Sequence, residues 1–75
     1  MEYQELKIAM RNKARLASGL VNLLKDDTQQ ICVDVDDLDL FSLGEALREA
    51  KRTSQNLIDT ITELERGMYL MKRDA

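Results

Sequence analysis

From Leu40 to Met71 apolar residues return at alternating intervals of three and four, and no proline occurs anywhere in the 75-residue chain. Leu40, Leu43, Leu47, Ala50 and Ser54 open the series; Leu57, Ile61, Leu64, Met68 and Met71 complete it. A three-four alternation sustained over about four heptads lays one apolar stripe along a helix and is the pattern of a coiled coil. A helix that long buries only one side of itself, so it demands a partner.

The first third of the chain supplies one. Tyr3, Leu6, Met10, Lys13, Ala17, Leu20 and Leu24 repeat the same alternation, and Ala14, Leu16, Val21 and Leu23 widen the stripe to nearly half the circumference. The spacing predicts a helix over residues 2–25, ~36 Å long at 1.5 Å per residue, with Lys13 interrupting its apolar face.

Between the two periodic segments the charge changes character. From Asp26 to Glu45 there are seven acids and no bases, so the remainder of the chain is net positive by four although the whole carries −3. Residues 26–36 read as an acidic hinge, in which Ile31 to Val35 alternates apolar and polar in the manner of a short strand. Such a segment either covers the end of the hairpin or pairs with another chain. Two starts are open for the second helix, expected over 37–73. Asp36 caps it if Asp37 and Asp39 occupy the first turn, and the heptad register, which already includes Leu40, favours this. The alternative is a capping box at Ser42-Leu43-Gly44-Glu45.

The expected fold is therefore all-α: one domain over residues 1–75, a long antiparallel hairpin resembling a coiled coil. Two helices cannot cover both stripes, so self-association into a four-helix bundle or higher assembly follows as the expectation, with another protein as the further partner. A register centred on the hinge sets Leu24 near Leu40, Tyr3 near Met71 and Lys13 beside Ala50 to Ser54.

Several function classes lose their chemistry here. The chain has no histidine and a single cysteine, which removes the common ligands of structural zinc and any internal disulfide. Asp34, Asp36 and Glu45 fall at positions one, three and twelve of a calcium loop, but Leu38 and Asp39 stand where a ligand and the turn glycine are required. No metal or cofactor is expected, and no clustered acid-base set supports catalysis. Three aromatic residues and a negative net charge speak against nucleic acid, duplex included. MEYQELKIAM reads as neither secretory signal nor membrane span, and with an unpaired thiol this points to the cytoplasm. Cys32, between Ile31 and Val33 and far from any cation, is expected to be a buried small hydrophobe.

Two surfaces remain as candidates. Met68-Tyr69-Leu70-Met71 is apolar around the whole helix turn, and with Tyr3 and Leu6 it forms the expected partner-binding patch. Arg11, Lys13 and Arg15, brought beside Arg48, Lys51 and Arg52 by the expected register, form a basic belt next to Thr53 that suits an anionic small molecule. The first surface describes a non-enzymatic interaction module such as an adaptor, assembly chaperone or inhibitor. The second describes an oligomer that sequesters a phosphorylated ligand or nucleotide.

Overall fold

A computed structural model of the chain describes residues 3–74. They form two helices of 35 residues each, α1 (Tyr3–Asp37) and α2 (Leu40–Asp74), which pack antiparallel into a rod of 54 × 14 × 13 Å. The expected antiparallel hairpin is present. The expected hinge is not, because residues 26–36 continue α1 without interruption, including the Ile31 to Val35 segment.

The reason lies in the seam. Residues of α1 that are buried or half-buried keep the three-four alternation well past Leu24, through Asp27, Ile31 and Asp34. Two aspartates inside a helix seam are costly unless hydrogen-bonded, and α2 supplies two of the three donors. Thr53 Oγ1 donates to Asp27 Oδ2 at 3.0 Å, and Ser42 Oγ donates to Asp34 Oδ2 at 2.9 Å while Gln30 Nε2 donates to Asp34 Oδ1 at 2.9 Å. Asp34, only 3% exposed, is therefore part of the core rather than of a solvated hinge.

Two residues, Leu38 and Asp39, reverse the chain. Leu38 adopts φ of 55°, the left-handed conformation, and the amides of Leu38 and Asp39 bond back to Val35 O and Asp34 O at 3.2 and 3.0 Å. This nested pair of bonds closes α1 as a Schellman motif does. Asp39 Oδ1 then accepts the Ser42 amide at 3.1 Å, so Asp39, and neither Asp36 nor the Ser42-Glu45 box, caps α2.

The seam of α2 is rotated by one position from the expected one. Leu43, Ala50, Leu57, Leu64 and Met71 are half-buried in it, but the fully buried residues are Ala46, Thr53, Thr60 and Gly67. Leu47, Ile61 and Met68 stand one position further round and are 45, 46 and 38% exposed. Small residues every seven positions let the helices approach closely, and at Gly67 a Cβ atom would lie 2.9 Å from Met10 Cγ and Sδ. The bulky row would hold the helices apart. The resulting core is thin: Leu6, Leu20 and Ala46 are its buried apolar members.

Candidate functional site

The turn at Leu38 and Asp39 sets the register. Lys13 forms an ion pair with Glu63, and Gly67 packs on Met10, so residue 13 lies across from the sixties rather than from Ala50 to Ser54. This takes the basic belt apart. Arg48, Lys51 and Arg52 flank Thr53, which bonds to Asp27, and residue 27 is ~21 Å along α1 from Lys13. Arg48 and Arg52 line a groove together with Asp27, Glu45 and Glu49, where acids outnumber them. Lys13 is engaged by Glu63, and the Thr53 hydroxyl by Asp27. Arg11 and Arg15 are exposed on α1 at the other end of the rod. One hairpin thus assembles no cationic pocket from these seven residues.

The expected partner patch is divided too. Leu6 is buried and Met71 half-buried in the seam, whereas Tyr3, Met68, Tyr69 and Leu70 are exposed. Tyr69 and Leu70 border a groove on the outer side of α2 with Arg66 and Arg73. Met68 lies on the opposite flank of the seam from Leu70, so the four exposed residues share an end of the molecule but not a face. Cys32 is exposed rather than buried, because a helix turns it outward where a strand packed on the hairpin would have covered it.

The two long flanks of the seam differ chemically. On one flank lie the Lys13–Glu63 ion pair and the Ser42–Asp34 bond, and the grooves there are bordered by Ser42, Glu49, Asn56, Glu63 and Leu70 of α2. That flank is mostly polar and charged on its α2 side, while α1 contributes Ala9 and Leu16 to it. On the other, α2 presents Leu40, Leu47, Ser54, Ile61 and Met68 at seven-residue intervals. Beside them α1 presents Lys7, Ala14, Val21, Thr28 and Val35, again seven apart. In an antiparallel pair these rows adjoin, and Lys7 carries the only charge in either.

This face was missed as a site although its α2 row was legible. The three-four series from Leu40 to Met71 has two solutions on the helix surface, one through the small row and one through the bulky row. α1 takes the first; the second shares Leu43, Ala50, Leu57, Leu64 and Met71 with it, and its own row, from Leu40 to Met68, is turned away from α1. Val21, Val35, Leu40, Leu47 and Ile61 are 45 to 76% exposed there.

Among the described residues no helix is long and apolar enough to cross a membrane. Comparison with protein families, curated proteins and solved structures finds no match to the chain.

Proposed function

We propose that the chain is a non-enzymatic helical interaction module that completes a bundle with further helices, in the manner of an adaptor, assembly chaperone or inhibitor, and that it works in the cytoplasm. The observation that carries this reading is the unused stripe on α2, flanked by an almost charge-free row of α1. Soluble helices expose single apolar residues routinely, but a heptad row on each of two adjacent helices is a surface shaped for other helices. The free, exposed thiol of Cys32 is in keeping with a reducing compartment.

A magnitude supports the same reading. The chain exposes 5932 Å², whereas a compact monomer of its 8.6 kDa mass exposes about 4,700 Å². The difference, roughly 1,200 Å², exceeds the ~800 Å² that one partner contributes to an ordinary protein interface.

A photo-cross-linking amino acid placed at Leu47 or Ile61 tests the proposal in the host cell. Discrete adducts are expected from both positions, and none from the same amino acid at Gln55 on the outward side of α2. No adduct at Leu47 and Ile61, or equal adducts at Gln55, would remove the basis for an interaction face.

A further inference from the structure

We infer that the occupant of this face is a second copy of the chain, laid against it antiparallel so that the turn of each hairpin lies at the open end of the other. The inference rests on the reading of the face as an interaction surface and adds the identity and direction of the partner.

Symmetry supplies the first argument. Val21 and Ser54 are the middle members of the two rows, and they lie at nearly the same height, since Asp27 pairs with Thr53 and Lys13 with Glu63. A two-fold axis passing across the face at that height stacks α1 on its own copy and α2 on its own copy. Each bulky residue of α2 then meets another: Leu47 meets Ile61 of the partner subunit, and Leu40 meets Met68 of the partner subunit. At the axis the small Ser54 meets itself, as Val21 does in α1. All neighbouring helices run antiparallel, the arrangement of an up-down bundle.

Charge fixes the direction. Residues 22–53, the turn half, contain eight acids and four bases, whereas the rest of the chain, the open half, contains six acids and seven bases. The antiparallel dimer sets a half of charge −4 beside a half of charge +1. The alternative two-fold, turn beside turn, sets −4 against −4. The antiparallel arrangement also accounts for Lys7, the lone charge on the face, which falls against Val35 of the partner subunit and its neighbouring Asp36. Along the rim, Lys25 comes level with Ala17 of the partner subunit and Lys51 with Leu57 of the partner subunit, so these cations meet no opposing cation.

Single cysteines in a Cys32→Ser background, treated with a short thiol-reactive cross-linker, distinguish the arrangements. Ser54→Cys and Val21→Cys are expected to join into covalent dimers. Met68→Cys and Leu40→Cys are not, because Met68 lies ~21 Å from the axis and so ~42 Å from its counterpart. A chain carrying both Leu40→Cys and Met68→Cys is expected to cross-link again. Sedimentation of the unmodified chain should give twice its monomer mass, and Lys7→Glu should weaken the dimer about tenfold, equivalent to ~1.4 kcal/mol. Self-cross-linking at Met68→Cys overturns the direction. A chain that sediments as a monomer overturns the second copy as occupant, and if Leu47 and Ile61 still cross-link to another protein, only the identity of the partner fails. Neither dimer nor adduct removes both readings.

Discussion

Single residues in this hairpin carry unusual shares of its geometry. Leu38 holds a left-handed backbone that favours glycine, and its side chain is 80% exposed, so it gives little packing in return. Leu38→Gly is expected to stabilise the fold by about 0.5–1 kcal/mol in urea unfolding, because relief of the Cβ clash outweighs glycine's entropy. Asp34 has the opposite character. Asp34→Ala removes the acceptor for Ser42 and Gln30 at the closing turn, and a loss of about 2 kcal/mol is expected, with Asp34→Asn recovering part of it. At Gly67 the backbone approaches Met10 so closely that an added methyl must displace the thioether. Gly67→Ala in the Met10→Ala background is expected to gain about 1 kcal/mol from helix propensity, and less when Met10 is present. A double-mutant cycle reads that difference directly. None of these roles was legible from residue type: Leu38 resembles any stripe leucine, and Asp34 resembled the rest of an acidic hinge.

At the scale of the helices, the contest is between two neighbouring heptad rows of α2. Thr53→Leu is expected to cost about 2 kcal/mol or more, since it crowds the closest part of the seam and leaves Asp27 without its donor. Ser54→Leu, one residue later, is expected to be neutral or stabilising. Thermal melts of the pair therefore report the rotation of α2, and equal losses at both positions would place the seam between them. The period of both helices and the extent of α2 could be read from the chain. The choice of row could not, because hydrophobicity favours Leu47, Ile61 and Met68 while close packing favours Ala46, Thr60 and Gly67. The continuation of α1 through residues 26–36 escaped for a related reason: aspartates read as solvated until donors on another helix are known to face them.

As a whole molecule the chain is a rod with a thin core, so its stability is expected to depend on what covers its apolar face. The melting temperature should rise with protein concentration, as mass action requires of a folded state stabilised by association, and this dependence should vanish for Leu47→Asp. A concentration-independent melt for the unaltered chain would mean that two helices suffice. The sequence alone determined the helical class, the two segments, the excess of apolar stripe and the separation of an acidic end from a basic one, because periodicity and charge order are properties of the chain itself. Tertiary structure decided where the chain turns, which row of α2 meets α1, and hence that Lys13 faces Glu63 and the basic belt falls apart. Those outcomes depend on hydrogen bonds and close contacts between residues far apart in sequence, such as Thr53 with Asp27 and Gly67 with Met10, and no local pattern encodes them.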